Sequence, residues 1–270
     1  MRYRGFMPVL VAVAMLAAVS CGDKDSAPAV AGFVELDIDS VVVDTIVPLA
    51  GGDDAPSLEL SISVQYDKTG KLPVVNDSII LVRMLHVDVM AGGDSIKTVK
   101  GAVEAFASGI ISGYKEDYGS LYAADKEHPE TYGLTVRINS WMESHREGIV
   151  SYIAETYVRY GDLEGYSIII TYNADVEKGK ILTLDDVFVP GYKLRLTEKI
   201  VKKICERNGA ESFEDLQEMG CFAGVNAYPP VNFVMDEEEI LFIYNPCEIT
   251  PWGMVSVAIG YDDLKDLLRK

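Results

Sequence analysis

The histidines and cysteines, the side chains that most often hold a transition metal, are few and widely separated along the chain. Neither an H-x-H nor an H-E-x-x-H arrangement occurs, and no C-x-x-C pair is present, although metal sites are usually built from such spacings. The histidines and cysteines are His86, His128, His145, Cys21, Cys205, Cys221 and Cys247. We therefore expect no metal site and no cofactor.

Two short motifs match boxes of the serine enzymes that recognise penicillin. "SGYK", Ser112 to Lys115, fits S-x-x-K, and "KTG", Lys68 to Gly70, fits a second box. Their order is reversed, because the serine box should come first. The adjacent acids Asp185 and Asp186 are better explained as helix-capping residues. We predict no enzyme, with one alternative left open: a hydrolase whose carboxylates lie unrecognised among the 42 acidic residues.

The stretch "YNPCEITPWG", Tyr244 to Gly253, could bind a ligand without catalysing a reaction. It connects two strand-like runs, and its two prolines exclude a minimal hairpin. Trp252 follows Pro251, and tryptophan offers a large rigid surface suited to a protein interface or to stacking on a sugar. We predict a ligand-binding surface made of Pro251, Trp252, Glu248 and Tyr244. The alternative is that the two aromatic side chains plug the end of the sheet.

The elements around this stretch have mixed periodicity. Residues 57–66 alternate as a half-buried strand, and 134–174 form long alternating runs typical of an antiparallel meander. We expect this meander to share one antiparallel sheet with the strands of 232–259, with a helix over 192–208 covering one face. Its inward residues would be Leu194, Ile200, Val201 and Ile204, with Phe233 and Phe242 buried in the sheet. The resulting class is α+β: an antiparallel sheet packed by helices.

Two further helices are predicted in the N-terminal half. An amphipathic helix has Ser95 as its cap and apolar residues at helical spacing: Ile96, Val99, Val103, Phe106, Ile110 and Tyr114. Asn76 caps a second helix over 77–90, although its β-branched residues favour a strand almost equally. Near the C-terminus, Ser212 caps a short helix.

The first residues are typical of export. Arg2 and Arg4 precede a short apolar run, and small residues lead into Cys21. This pattern resembles a bacterial lipoprotein signal, which implies a signal peptide over 1–20 and lipidation of Cys21. Residues 21–56 then carry the lipidated cysteine and a flexible tether. We expect a lipid-anchored protein of the bacterial envelope, on the outer membrane and facing the periplasm or the surface.

The charge balance limits the classes of partner. The net charge is −18, and removal of Arg2 and Arg4 makes it −20. Such a surface repels nucleic acid and anionic membranes, so contact with the membrane is expected through the lipid anchor alone. In an oxidising compartment Cys205 and Cys221 could form a disulfide that closes a loop of moderate length. Three reduced cysteines are the open alternative.

The C-terminal half resembles a known family. "GKILTLDDVF", a helix, and "VNFVMDEEEILFIYNPCEITPWGMVSVAIGYDDL" are similar in order to the C-terminal domain of RsiV-type anti-sigma factors. The matching residues are Leu184, Phe188, Asn232, Phe233, Tyr244, Pro251, Trp252, Gly253 and Leu264. The resemblance implies an RsiV-like domain over 161–270. Residues 57–160 resemble the N-terminal domain of the peptidoglycan deacetylase PdaC, outside that enzyme's catalytic part.

The resemblance implies a binding function. RsiV-type domains bind lysozyme, a basic extracellular protein, and the proline–aromatic loop belongs to their recognition region. The expected function is therefore a non-catalytic envelope lipoprotein that recognises a lysozyme-like protein or a cell-wall glycan.

Overall fold

The computed structural model describes residues 33–52, 54–87 and 98–269, which belong to one compact unit, Gly32–Lys270. It confirms the predicted α+β class, with helices packed on a six-stranded and a three-stranded sheet. The signal peptide, Cys21, Ser95 and Ile96 lie outside the described residues. Among the helices described, none combines the length and apolar character needed to cross a membrane.

The six-stranded sheet has its strands in chain order. Only β2 and β3 run parallel, and the other neighbours are antiparallel. The strands are β1 (Ile38–Pro48), β2 (Ser57–Asp67), β3 (Leu134–Arg146), β4 (Ile149–Tyr160), β5 (Tyr166–Asp175) and β6 (Lys180–Leu182). The predicted meander is thus present as β3, β4 and β5.

Strand β1 corrects the expected extent of the tether. Residues 38–48 fall inside the predicted flexible segment 21–56, yet they pair with β2 along their whole length without a bulge. The run of valines at 41–43 packs alternate side chains on β2, which stabilises an extended strand. The predicted division at 160/161 also separates two hydrogen-bonded strands, β4 and β5, so the sheet continues across it.

One face of this sheet is covered by helices. A segment of wide π-type turns spans Val74–Met84, and α1 spans Val99–Ala124. Val99, Val103 and Tyr114 are buried as predicted, and Thr98 caps α1 by accepting a hydrogen bond from Gly101 N. Ser112 and Lys115 point to solvent on α1, whereas Lys68 lies in the turn after β2. The structure therefore gives no support to the S-x-x-K and KTG boxes.

The sequence predicted that Asn76 caps a helix, and this prediction is wrong. It lies inside the Val74–Met84 segment, where its Oδ1 accepts from Asp67 N at 3.0 Å and its Nδ2 donates to Asp67 O at 2.7 Å. Burial of Asp67 opposes its ionisation, but hydrogen bonds from Leu72 N and Thr69 outweigh this effect and lower its pKa. The amide and the carboxylate together hold the helical segment to the end of β2.

The C-terminal part of the chain forms a second layer. A three-stranded antiparallel sheet has the order β7 (Asn232–Met235), β8 (Glu239–Tyr244) and β9 (Val255–Gly260). The helices here are α2 (Leu184–Val187), α3 (Tyr192–Asn208), α4 (Phe213–Glu218) and α5 (Tyr261–Leu264). As predicted, Ser212 caps α4, and Asp186 closes a capping box on α2 with Thr183.

The expectation that 134–174 and 232–259 share one sheet is wrong. Strand β7 packs against β5 through side chains instead of a backbone ladder. Thr171 N donates to Asn232 Oδ1 at 3.1 Å, and Asn173 Nδ2 donates to Phe233 O at 2.7 Å. Because side chains satisfy these buried backbone groups, the two sheets can meet without a common register.

Helix α3 covers the other face of the small sheet. Leu196, Ile200 and Ile204 follow one another at intervals of four residues and are fully buried. Leu194, predicted to be buried, is 70% exposed. Two positions from Leu196 correspond to about 200° around a helix, so Leu194 must face solvent. Phe233 and Phe242 are buried as predicted, and Val201 is half-buried.

Candidate functional site

The loop 245–254 joins β8 to β9 and is held by its own backbone. Cys247 N donates to Thr250 O at 3.1 Å, and Glu248 N donates to Asn245 O at 3.1 Å. The Glu248 carboxylate returns to the start of the loop and accepts from Asn245 N at 2.8 Å. These short-range bonds fix the loop before any ligand arrives, which lowers the entropy lost on binding.

Asn245 also fastens the loop to the large sheet. Its Oδ1 accepts from Ile169 N at 2.7 Å, and its Nδ2 donates to Ile169 O at 2.9 Å. The side-chain amide thus reproduces the two hydrogen bonds that a neighbouring strand would make with β5. The loop is positioned by two sheets at once, although the sequence shows only an ordinary Asn-Pro turn signal.

Beneath the loop lies a buried aromatic cluster. The Tyr244 ring packs edge-on against Phe222 at 5.7 Å and against Tyr228 at 5.7 Å between centroids. The Tyr244 hydroxyl donates to the Tyr228 carbonyl, and burial raises the Tyr244 pKa. Since Tyr244 is fully buried, it cannot contact a ligand as predicted. It supports the loop from below, which is the alternative that the sequence left open.

Glu248 is bound into this support. Besides its bond to Asn245, its Oε1 accepts from the Tyr228 hydroxyl at 3.1 Å. Burial of Tyr228, followed by the nearby Glu248 charge, raises the pKa of Tyr228 to about 12. The hydroxyl therefore stays protonated and remains a donor at neutral pH. Glu248 is half-buried, so its first role in the structure is to shape the loop.

Trp252 stands at the top of the loop and is 69% exposed. Pro251 before it is also exposed, so both residues have the exposure that the sequence predicts. Gly220 lies directly beside the indole, because a Cβ built on that glycine would be 3.5 Å from Nε1. Met219, the neighbour of Gly220, and Met254 are exposed as well. A large aromatic side chain thus lies in solvent next to flexible methionines, an arrangement typical of binding surfaces.

The chain that carries this surface is uniformly acidic. Residues 208–264 contain eleven Asp and Glu residues and no Lys, Arg or His. Glu214 and Glu218 are exposed on α4, immediately before Met219. Arg207, just outside this stretch, approaches β9 and donates to Ser256 O at 2.9 Å. This long stretch without a basic residue is visible in the sequence, and it is the signal that our sequence analysis missed.

The predicted disulfide is absent, because Cys205 and Cys221 are both free thiols. Cys205 Sγ is directed at Ser212 O at 3.6 Å. Burial raises the pKa of Cys221, and the neighbouring Cys205 raises it further, so the two thiols lie near each other in reduced form. In the described part of the chain, no group of three His, Cys, Asp or Glu residues is arranged to hold a metal ion.

A concave region with a volume of about 700 Å³ lies where β2 and β3 begin and β4 ends. Thr135 lies there between Glu59 and Arg159, donating to Glu59 Oε2 at 3.3 Å and accepting from Arg159 Nη2 at 3.2 Å. The four carboxylates that line the cleft, those of Asp54, Glu59, Glu127 and Glu130, belong to exposed residues. A glycosidase acid is usually held in an apolar, partly buried pocket that raises its pKa, and none of these four is so placed.

Comparison with known proteins finds one matching family and similar crystal structures. Residues 185–262 match the family described as "Protein of unknown function (DUF3298)". The structure is similar to the crystal structure of a DUF3298 family member from Bacteroides fragilis, with a TM-score of 0.73 and 22% identity over 87% of this chain and 94% of that one. It also resembles a DUF3298 family protein from Pseudomonas aeruginosa, with a TM-score of 0.59 and 15% identity over 87% and 95%.

These likenesses establish the fold and a DUF3298 domain at residues 185–262. No curated protein matches the chain. The domain carries Tyr244, Glu248, Pro251 and Trp252, so the candidate loop lies entirely within it.

Proposed function

We propose that this protein is a non-catalytic binding module of the bacterial envelope, anchored through Cys21, and that its Trp252 loop captures a basic extracellular protein of the lysozyme type. The observation that supports this best is Trp252 itself, 69% exposed on a loop that is held on both sides. The RsiV-type resemblance of residues 161–270 gives the same class of partner.

The geometry suits an interface anchor. Tryptophan often carries much of the binding energy in protein interfaces, and a loop that is ordered before binding loses less entropy when it binds. Here the loop is held by Asn245, and its base is filled by Tyr244 and Phe222. The loop therefore needs little reordering on binding, and Met219 and Met254 can adapt to the partner's surface.

The charge suits a cationic partner. Attraction between an acidic surface and a basic protein raises the association rate and falls with ionic strength. Since residues 208–264 carry no basic residue, a neutral cell-wall glycan would gain nothing from this charge. Binding that weakens as salt increases would therefore favour the protein partner over the glycan.

The test is Trp252→Ala in the full chain, measured against lysozyme and against insoluble peptidoglycan. Loss of a central tryptophan costs on the order of 2 kcal/mol or more, which is about 30-fold in Kd. Tyr166→Ala is the matched control, because Tyr166 is an exposed aromatic residue on β5. Equal melting temperatures with lysozyme binding lost only in Trp252→Ala would support the site. Unchanged lysozyme binding would reject the assignment of the loop.

The hydrolase alternative is tested with the same preparations. We expect no release of soluble fragments from peptidoglycan by the wild-type chain. Release that disappears in Glu59→Gln would assign activity to the cleft at Thr135 and would contradict a purely binding function.

The anchor has its own test. Mass spectrometry of the processed protein should show an N-terminus at Cys21 bearing acyl chains. Cys21→Ser should leave an unprocessed, unlipidated chain. Cleavage at another residue, or an unmodified Cys21, would reject this part of the proposal.

A further inference from the structure

One of the two edge strands of the large sheet is β1, which at 11 residues is much longer than the other edge strand, β6. Two hydrogen bonds define which backbone groups face β2: Leu49 N donates to Pro56 O, and Lys68 N donates to Asp37 O. The pairing between the strands is continuous from Ile38 to Pro48. The odd-numbered residues therefore bond to β2, and the N–H and C=O groups of the even-numbered residues point away from the sheet.

This edge lacks most of the devices that protect exposed strands. It has no lysine and no bulge, and it is 11 residues long. Its one proline, Pro48, is even-numbered, so the missing donor lies on the outward side where an edge strand tolerates proline. Among the described residues, the one hydrogen bond to an outward group between Ile38 and Ile46 is local, from Ser40 N to its neighbour Asp39 Oδ1 at 2.8 Å.

The side chains beside this edge are apolar and exposed. The even-numbered residues of β1 point to the sheet face opposite α1, where Val42 is 64% and Ile46 69% exposed, and Ile38 is exposed as well. Asp44 and Ser40 alternate with them. The pattern is apolar, polar, apolar, polar, apolar, and it reads the same in both directions about Val42.

We propose that β1 pairs antiparallel with β1 of a second copy of this chain, with the two Val42 residues facing each other on the two-fold axis. In this register Ile38 faces Ile46 of the second copy, and Ser40 faces Asp44. Each facing pair of outward residues exchanges two hydrogen bonds, which gives about ten across the interface. The two six-stranded sheets become one continuous sheet.

Other antiparallel registers fit worse. A two-fold axis at Val43 places Asp44 against Val42 and sets Pro48, which has no N–H, opposite Ile38. An axis at Val41 places Asp44 against Ile38. An axis at Ser40 pairs Ile38 with Val42 but sets Asp44 against Leu36 and leaves Ile46 beyond the strand, and an axis at Asp44 brings the two Asp44 carboxylates together. Of these axes, the one at Val42 pairs all three exposed apolar residues with each other and keeps Asp44 away from its own copy, so side-chain complementarity favours this register.

The proposal commits to a second copy because the edge is complementary to itself in both side-chain polarity and hydrogen bonding. The net charge of −18 on each chain opposes the association. Salt screens this repulsion, so the dimer fraction should rise between low salt and about 0.5 M NaCl. This is opposite to the salt dependence expected for binding of a basic partner at the Trp252 loop.

The first test measures the mass of the full chain by analytical ultracentrifugation over a range of concentrations. The wild type should form a dimer. Val42→Lys should be monomeric because two ammonium groups would meet on the axis. Val42→Pro should also be monomeric, and it should melt at the same temperature as the monomeric Val42→Lys, since it removes an outward N–H and leaves the bonds to β2 intact. The control Leu121→Lys changes an exposed leucine on α1 and should remain dimeric.

The second test fixes the register. In a Cys247→Ser background, Val42→Cys should form a disulfide-linked dimer under a glutathione redox buffer, because facing hydrogen-bonded pairs have Cα atoms about 5.5 Å apart. Asp44→Cys should not cross-link, since its two copies would lie about 13 Å apart along the strand. A monomeric wild type, a dimeric Val42→Pro, or preferential cross-linking through residue 44 would overturn the proposal. The same buffer is then applied to envelope extract containing the Val42→Cys chain. A mixed disulfide with another envelope protein there, without the homodimer, would assign the edge to a foreign strand and overturn the proposal equally.

Discussion

Replacement of Asn245 should loosen the junction between the two sheets and the candidate loop together. The wild-type side chain makes two hydrogen bonds to the backbone of Ile169, at 2.7 and 2.9 Å. Asn245→Ala removes both and leaves the N–H and C=O of Ile169 without a protein partner. Asn245→Asp keeps the shape but places a carboxylate oxygen against the Ile169 carbonyl, where the wild type has a donor.

The size of the effect follows from these bonds. Two neutral hydrogen bonds contribute about 1 kcal/mol each, and a buried group left unpaired costs about 1–3 kcal/mol. Ile169 is half-buried, so water can replace part of the loss. We expect Asn245→Ala to lower the free energy of unfolding by about 3 kcal/mol, which is a fall in Tm of about 6–12 °C for a domain of this size.

Asn245→Asp tests the donor group of the side chain alone, because it keeps the oxygen that accepts from Ile169 N and removes the Nδ2 that donates to Ile169 O. The repulsion from the Ile169 carbonyl should raise the pKa of the new carboxyl group. Because the pKa in the folded state is then above that in the unfolded state, Asn245→Asp should regain stability as the pH falls and the carboxyl becomes a donor. Asn245→Ala should show no such recovery relative to the wild type.

The assay is urea unfolding followed by circular dichroism at pH 7 and pH 5, with lysozyme binding measured on the same samples. Asn139→Ala is the control, since Asn139 is exposed on β3 and should change stability by less than about 0.5 kcal/mol. If Asn245→Ala were as stable as that control, the side-chain junction would carry no energy. The positioning of the loop would then need another explanation.

Three further predictions concern other parts of the fold. Hydrogen bonds from Lys180 and Thr183 lower the pKa of Asp186 from 3.8 to about 2. Asp186→Asn should therefore lower the free energy of unfolding by about 1–2 kcal/mol at pH 7. In urea unfolding, this difference from the wild type should vanish as the pH falls from about 4 to 2. A constant difference would contradict the role of the charge. Gly161→Ala should lower the free energy of unfolding by more than about 2 kcal/mol, because φ is +54° and the new Cβ would lie 2.8 Å from Glu130 O. The control Gly179→Ala should cost about 1 kcal/mol, since Gly179 has a similar φ of +61° but open space around it. Equal losses in thermal melting would refute the steric argument. Titration with a thiol reagent should modify exposed Cys247 at least about tenfold faster than Cys221, whose pKa is raised by burial, and equal rates or a bridge in a peptide map would contradict the free buried thiols.

Local patterns in the sequence were sufficient to predict most single elements. Helix α3 has its apolar residues at helical spacing and ends at Gly209, whose φ of +69° is the left-handed conformation that glycine favours. The prediction that Leu194 is buried chose the wrong one of two leucines. Both Leu194 and Leu196 are apolar, and only the packing of α3 on β8 and β9 decides which of them faces inward. The exposure of Trp252 followed from its position between a proline and a glycine.

Local sequence patterns could not predict how the strands are arranged in sheets. Whether β7 joins β5 in one sheet depends on buried amides such as Asn232 and Asn173, and these have no signature that distinguishes them from surface asparagines. The sequence did not predict strand β1, because an extended valine-rich segment becomes a strand only when it has a partner. That partner, β2, follows only after a connection containing Gly51 and Gly52.

The single parallel pairing in the large sheet has a consequence for how the chain folds. Strands β1 and β2 can pair through a short connection, and β3, β4 and β5 likewise follow one another closely. Joining the two groups requires Leu58–Val64 to meet Leu134–Ser140, across a segment that must also place the Val74–Met84 helical turns and α1. Closure of such a long loop carries a large entropic cost before its contacts form. We therefore expect the β2–β3 junction to form last and to set the folding rate, so that Ile62→Val should slow folding less than it speeds unfolding in stopped-flow kinetics.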